Sequence, residues 1–328
     1  MVPSPELTRA FEQVMKGDAT AAQVAALLMA LRVKGETSEE VAAVVRALRA
    51  VMVRLPAEDP EALVDTCGTG GGTLVTFNIS TAAALLAAGV GVRVAKHGNR
   101  SFTSLCGSAD VLEALGIAIE VPVAVMERSL RDAGIVFMFA PLMHPAMRHV
   151  GPVRRELGVP TVMNIVGPLA NPALAGRQVV GVADEGRLAL IAGTLRELGS
   201  RHALVVHGEP GLDEISPLGP THVVEIRDGG TREWSIQPAA YDLGDVHVDH
   251  LRGGSPKENA ELVVSVLRGE GSSGATAAVV LNAAAAIFVS GMVDGFHEAV
   301  EIAKAGIHDG AGMRALARLR AAFAVAAD

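Results

Sequence analysis

A chain of 328 residues, half of them hydrophobic but only 3% aromatic, has room for one large domain or a large and a small one, packed mainly by alanine, valine, leucine and glycine. Its formal net charge of −8 argues against nucleic acid or an anionic membrane as the main partner, and leaves a small anionic substrate only where positive charge is concentrated locally. Cys67 and Cys106 stand outside any paired framework, Met1 to Glu6 show no basic-then-apolar leader, and the longest apolar run, Ala275 to Phe288, is interrupted by Thr276 and Asn282 and is too short for a membrane span; a cytoplasmic setting is expected.

In chain order, Ser4-Pro5 opens a helix that runs to Gly17, with proline at the tolerated first position and glycine at the end. Thr20 starts a second helix ending near Lys34-Gly35. Thr37-Ser38-Glu39-Glu40 is a capping-box-like start for a third, in which Val41, Val44, Val45, Leu48, Val51 and Met52 mark one apolar face. These three predict a small helical domain over residues 1–62, with Arg54 to Pro60 as linker, and an α/β domain over 63–328. From Leu63 onward, strand-length apolar runs alternate with helical patterns, which favours a central, mainly parallel sheet covered on both faces. The expected strands are Leu63 to Thr66, Val92 to Ala95, Ile135 to Phe139, Val179 to Val182 and Ala203 to His207, with a hairpin over Thr221 to Ile236 turning at Asp228-Gly229-Gly230. Helices are expected near Ser80 to Ala88, Ala109 to Leu115, Val123 to Ala133, Val150 to Leu157, Glu185 to Leu198, Pro256 to Leu267, Thr276 to Phe288, Val293 to Ala305 and Ala311 to Ala324.

Within this frame, Asp65-Thr66-Cys67-Gly68-Thr69-Gly70-Gly71-Gly72-Thr73 holds four glycines in five positions. Each costs backbone entropy and adds nothing to a core, so the run serves backbone shape. Ala62-Leu63-Val64 precedes it and Asn78-Ile79-Ser80-Thr81 follows, with Asn78 placed as N-cap. Strand, glycine loop and helix start is the order in which backbone N–H groups converge on an anion, although the glycines alone also suit a tight turn with no ligand.

Lys96-His97-Gly98-Asn99-Arg100-Ser101 follows a strand, where α/β proteins bind ligands, and its cations suit a phosphate. Phe102-Thr103-Ser104 continues that loop towards Gly107-Ser108-Ala109-Asp110, where Ser108 either caps a helix or meets a phosphate. His144-Pro145 and Arg148 to Arg155 form a second basic cluster in which Arg154 suits a carboxylate, and Asn164 to Pro172 is a tight connector able to carry a hinge. Asp213-Glu214 after a strand suits Mg²⁺, which takes a few carboxylates plus phosphate oxygens and water. Taken singly, each stretch also reads as a solvated loop, a surface arginine or an acidic turn.

Together, Gly68-Thr69-Gly70-Gly71, Asn78-Ile79-Ser80-Thr81, Lys96-His97-Gly98-Asn99-Arg100, Gly107-Ser108-Ala109-Asp110, His144-Pro145, the Asn164 to Asn171 stretch and Asp213-Glu214 resemble anthranilate phosphoribosyltransferase over nearly the whole chain. The resemblance implies a nucleoside phosphorylase-like phosphoribosyltransferase fold, part of residues 150–171 joining the helical domain, a homodimer through that domain, and a hinge. It also implies transfer of phosphoribosyl from 5-phosphoribosyl 1-diphosphate to anthranilate with Mg²⁺. By motif, Gly68, Gly71, Gly72, Thr76, Asn78, Ile79, Ser80, Thr81, Lys96, His97, Gly98, Asn99, Arg100, Ser101, Phe102, Thr103, Ser104 and Ser108 would meet the diphosphate donor. Gly68, His97, Asn99, His144, Arg154 and Gly167 would meet anthranilate, Ser80, Asp213 and Glu214 the metal, and Lys96, His97, Asn99 and Arg154 would carry the catalytic roles. Gly72 stands where the family's motif usually has aspartate, and Leu105 where many relatives have lysine; no metal role transfers to Gly72. A pyrimidine nucleoside phosphorylase shares the architecture but has Lys-His-Ser and a further C-terminal domain. A nucleic-acid-binding relative would want a basic stripe.

Overall fold

The computed structural model describes residues 4–101, 105–244 and 246–324. Helices α1 (Ser4–Lys16), α2 (Ala21–Lys34) and α3 (Ser38–Val51) open the chain. Thr20 with Gln23 and Thr37 with Glu40 form reciprocal capping boxes, which satisfy the first-turn N–H groups of α2 and α3 and fix where each begins. The apolar faces of the three helices share one cluster with Ala146, Val150, Val153, Met163 and Leu169 from the middle of the chain.

Next come β1 (Val64–Gly68), α4 (Ile79–Gly89), β2 (Val94–Gly98), α5 (Ser108–Ala114), α6 (Val123–Asp132) and β3 (Ile135–Phe139). The chain then crosses to the helical unit through α7 (Ala140–Met143), α8 (Gly151–Leu157) and α9 (Met163–Val166), and returns as β4 (Arg177–Gly181), α10 (Leu188–Glu197) and β5 (His202–Gly208). A hairpin of β6 (Thr221–Arg227) and β7 (Gly230–Ile236) precedes α11 (Pro256–Leu267), α12 (Ser273–Ser290), α13 (Phe296–His308) and α14 (Ala311–Ala324).

One seven-stranded sheet has the order β3-β2-β1-β4-β5-β6-β7, parallel from β3 to β5 and antiparallel in the last two pairings. Its two faces follow from side-chain alternation. Val179, Leu204 and Val206 face the cluster containing α4 and α12, while Val180, Ala203 and Val205 face the cluster containing α10 and the opening helices. Several boundaries differ from the sequence expectation. The strand expected over Val92 to Ala95 is displaced to Val94–Gly98, so Lys96 and His97 lie inside the strand; the strand expected over Val179 to Val182 begins at Arg177, and α13 begins at Phe296 rather than Val293. Helix α12 is longer than the apolar run suggested, 18 residues and apolar enough to cross a membrane by length and composition. It is instead largely buried, packing against α4 and α13.

Candidate active site

The strand order reverses direction at β1, whose neighbours β2 and β4 carry the chain to opposite sides, so the crevice at the carboxyl ends of β1 and β4 is where such a sheet receives ligand. Gly68 ends β1 level with Gly181 at the end of β4. A Cβ on Gly181 would overlap the Asp213 backbone, and one on Gly68 would displace the carboxylate of Asp213, whose loop lies across the two strand ends. The loop beyond passes through Gly70 and Gly71 at φ +71° and +84°. Gly70 N–H donates to Asp213 Oδ2 at 2.8 Å, and Thr73 N–H to the Gly211 carbonyl at 3.1 Å. Gly72 faces the same place: a Cβ there would lie 3.1 Å from the Gly211 carbonyl and 3.5 Å from Asp213 Oδ1.

Glu214 sits beneath, its Oε1 accepting from Ser80 N–H at the start of α4, 3.1 Å away. Burial, then the adjacent Asp213 charge, pushes the Glu214 carboxyl up to about 8, and burial raises Asp213 against the opposing Gly70 N–H. Two crowded carboxylates, with Lys96 the cation acting on Glu214 and Ser80 joined to both Glu214 and Lys96, are a donor set that fits a divalent cation. No three His, Cys, Asp or Glu side chains converge among the described residues, so the remaining positions of such an ion would fall to phosphate oxygens and water, the usual arrangement for Mg²⁺.

Lys96 is buried, 3% exposed, with Glu214 among its charged neighbours. Its Nζ donates to the Thr66 carbonyl at 2.5 Å, to Thr66 Oγ1 at 3.3 Å and to Ser80 Oγ at 3.2 Å. Burial lowers its pKa, opposed by Asp65, Cys67 and Glu214. The lysine thereby ties the middle of β1 to the first turn of α4.

The next residue along β2, His97, is buried, with its ring edge-on to His144 at a centroid distance of 4.9 Å. Burial and the neighbouring His144 lower His97 to about 3, opposed by a hydrogen bond with the Gly167 backbone; burial lowers His144 to about 4. Both rings are therefore neutral at pH 7. His97 Nε2 is buried without a hydrogen-bond partner, a polar atom that a ligand could satisfy, and the His144 ring has only the Ala170 backbone beside it. Arg154, on α8, is partly buried and in no ion pair among the described residues, and burial lowers its pKa. It is an unpaired guanidinium of the kind that can hold a carboxylate.

In the loop after β2, Asn99 accepts at its backbone carbonyl from Ala109 N–H at 3.2 Å and from Ser108 Oγ at 3.3 Å. Its side chain accepts from Arg100 N–H at 2.8 Å. Arg100 is committed to Asp110 and Glu113 of α5, so it shields the loop's flank instead of pointing a bare cation into it. Phe102, Thr103 and Ser104 lie outside the described residues. The expected caps are corrected. Gly107 is the N-cap of α5 with Asp110 closing the turn onto its N–H, so Ser108 is not the cap. Asn78 occupies the N-cap position of α4 without a capping bond; its Nδ2 donates to the Cys106 carbonyl at 3.2 Å and its Oδ1 accepts from Asn259 Nδ2 at 2.9 Å, tying α4, the segment before α5 and α11 together. Thr76 bridges Arg252, and Ile79 and Thr81 are buried at the start of α4, where Thr81 Oγ1 has no partner.

Sequence reading missed Asp65, Thr66 and Asn171. Asp65 is fully buried in β1, accepting from His97 N–H at 3.2 Å and from Asn171 Nδ2 at 2.8 Å. The available signal was an aspartate inside an apolar strand, a residue type that is buried only when paired.

The family described as glycosyl transferase family, a/b domain, matches residues 60–313, and its helical bundle domain matches residues 3–52. An anthranilate phosphoribosyltransferase of Rubrobacter xylanophilus is 49% identical over 95% of this chain and 91% of its own, and one of Herpetosiphon aurantiacus is 48% identical over 94% and 91%. The crystal structure of anthranilate phosphoribosyltransferase from Thermus thermophilus superposes with a TM-score of 0.93 at 40% identity, covering 99% of this chain and 96% of that one. The Saccharomyces cerevisiae enzyme in complex with PRPP and Mg superposes with a TM-score of 0.88 at 27% identity, covering 99% and 94%.

Proposed function

The chain belongs to the anthranilate phosphoribosyltransferases, and from that premise we infer that it moves the phosphoribosyl group of 5-phosphoribosyl 1-diphosphate onto the amino group of anthranilate, using Mg²⁺ and releasing diphosphate. The observation that carries the site assignment is the meeting of the Gly68–Gly71 loop with Asp213 and Glu214 at the β1/β4 switch point. There the loop already offers Gly70 N–H to a carboxylate oxygen, the bond it would offer a phosphate.

The bond from ribose C1 to the diphosphate oxygen breaks as positive charge develops on the sugar, the new bond forms from the arylamine nitrogen to C1, and the nitrogen then releases its extra proton to the departing diphosphate or to water. Catalysis therefore needs a stabilised leaving group and an acceptor held in line. Bound Mg²⁺, held by Asp213, Glu214 and Ser80, supplies neutralising charge to the diphosphate. The glycine-loop amides and the α4 N-terminus bind its oxygens, and Asn78, Ser108 and Asn99 hold the surrounding loop. Lys96 keeps the Ser80 hydroxyl and the Thr66 carbonyl in place.

Arg154 holds the anthranilate carboxylate, while Gly167, Asn99 and the His97–His144 pair form the wall that orients the ring. The amine is neutral at pH 7 and attacks without prior deprotonation; two imidazoles whose basicity is suppressed by burial suit a wall better than a base. A homodimer through the helical unit belongs to the same reading, supported by Val33 on α2, which is 82% exposed. So does a cytoplasmic setting, supported by both cysteines being thiols.

Loss of anthranilate fluorescence on mixing with 5-phosphoribosyl 1-diphosphate tests the function. Decay should require both the donor and Mg²⁺. Folded protein that gives no decay at any metal concentration overturns it.

A further inference from the structure

Strands β1 and β2 are sequence neighbours in a parallel sheet, yet they are in register only at Val64↔Val94, whereas β1 pairs with β4 from Val64↔Arg177 to Gly68↔Gly181 and β2 with β3 from Val94↔Ile135 to Gly98↔Phe139. Beyond Val64 and Val94 three backbone groups are taken by side chains. The Thr66 carbonyl accepts from Lys96 Nζ at 2.5 Å, the Ala95 carbonyl from Asn171 Nδ2 at 2.8 Å, and His97 N–H donates to Asp65 Oδ1 at 3.2 Å. The wedge opens where the two strands feed the glycine loop and the His97–Arg100 loop. Buried backbone groups must be satisfied, so side chains replace the missing ladder.

Asn171 comes from neither strand. It lies on the return from the helical unit, on the same connector as Gly167, which meets the His97 ring. Fully buried, its amide donates to Asp65 Oδ2 at 2.8 Å as well as to Ala95, and its Oδ1 accepts from Ala173 N–H at 2.9 Å. The same connector is tied back to the first crossing: Arg49 donates to the Leu169 carbonyl at 2.7 Å, and Leu55 N–H to the Pro172 carbonyl at 3.1 Å. One hydrogen-bonded chain thus runs from α3 through the connector into the gap between β1 and β2.

We propose that Asp65 and Asn171 are positioning residues, a paired wedge that sets the acceptor wall at His97 and Gly167 relative to the donor loop and couples it to the connector from the helical unit. This rests on the transferase reading for its kinetic consequence but not for its structural one. Removing either partner frees the β2 end without removing any group that touches substrate. The acceptor site should therefore suffer more than the donor site.

The test has two arms on the full chain. Hydrogen exchange needs no activity. In the wild type the His97 amide should exchange as slowly as amides inside β3, although it lies next to the end of its strand. In Asn171→Ala and Asp65→Asn, exchange should quicken over 95–98 and 167–173 while that of β5 and β6 is unchanged. Kinetically, each single variant should raise KM for anthranilate by about tenfold, the worth of one or two buried hydrogen bonds, with donor KM changed by less than about threefold. The double exchange Asp65→Asn with Asn171→Asp, which restores a donor facing an acceptor across the pair, should recover part of that loss. A fast-exchanging His97 amide in the wild type overturns the proposal even if no variant folds. Equal rises in both KM values, or single effects that simply add in the double variant, also overturn it. Absence of turnover in the wild type would instead count against the transferase reading and leave the exchange arm to decide the wedge.

Discussion

The sheet buries polar groups in two places, and they are treated oppositely. At its outer end, Glu225 on β6 is 3% exposed and has both oxygens engaged: His202 Nε2 at 3.0 Å on one, Arg232 Nη2 at 2.7 Å and Trp234 Nε1 at 2.9 Å on the other. Trp234 then packs edge-on against Phe288 and Phe296. Burial alone would raise the Glu225 carboxyl, but these hydrogen bonds win and hold it at about 2. At the switch point, by contrast, Glu214 is pushed up to about 8 and His97 Nε2 is buried with no partner. A network complete in itself stabilises the fold. One left short of charge and partners is waiting for groups that only a ligand brings.

The largest effect that would break this comparison lies at the carboxylates. Asp213→Asn with Glu214→Gln should lower turnover by about a thousandfold, some 4 kcal/mol of lost leaving-group stabilisation. His97→Ala should cost only about tenfold, because the ring shapes a wall. Steady-state assays in saturating Mg²⁺ decide it: an inactive His97→Ala beside an active double carboxylate variant would reverse the assignment.

Arg154→Ala comes next. Losing a charged hydrogen bond worth about 1.5–3 kcal/mol should raise KM for anthranilate by about 10- to 100-fold and leave donor KM nearly unchanged. Arg154→Lys should recover only part, since an ammonium cannot make the paired contact. A rise confined to donor KM would move Arg154 out of the acceptor site.

The smallest effect on turnover belongs to the outer network. Glu225→Gln should leave turnover intact while lowering stability at pH 7 by about 1–3 kcal/mol. The sign with pH follows from a folded pKa of about 2 against an ordinary 4.5: the stabilisation is present above 4.5 and is lost as pH falls through about 2. Denaturant melts of the two proteins should differ at pH 7 and converge near pH 2. A difference that persists unchanged at pH 2 would show that Glu225 acts by shape and not by charge.

Much of the site was legible because its chemistry is local. The glycines at 68–72, the Asn78-Ile79-Ser80-Thr81 helix start and the Asp213-Glu214 pair announce themselves by residue type and by position after a strand. What those side chains face was not legible. Lys96 reads as a phosphate ligand beside a glycine loop, yet it is buried against Thr66 and Ser80. Arg100 reads as another, yet Asp110 and Glu113 on the next helix hold it.

By itself the sequence determined the alternation of strands and helices, the capped starts of α2 and α3 and the glycine loop after β1, since propensity, capping and glycine geometry act within a few residues. Only the tertiary structure decided that Asp65 and Asn171, 106 positions apart, meet between two strands, that a loop after β5 lies over Gly68 and Gly181, and that α12 is a core helix. Those outcomes depend on strand order and on the space left between packed layers, which no local pattern encodes.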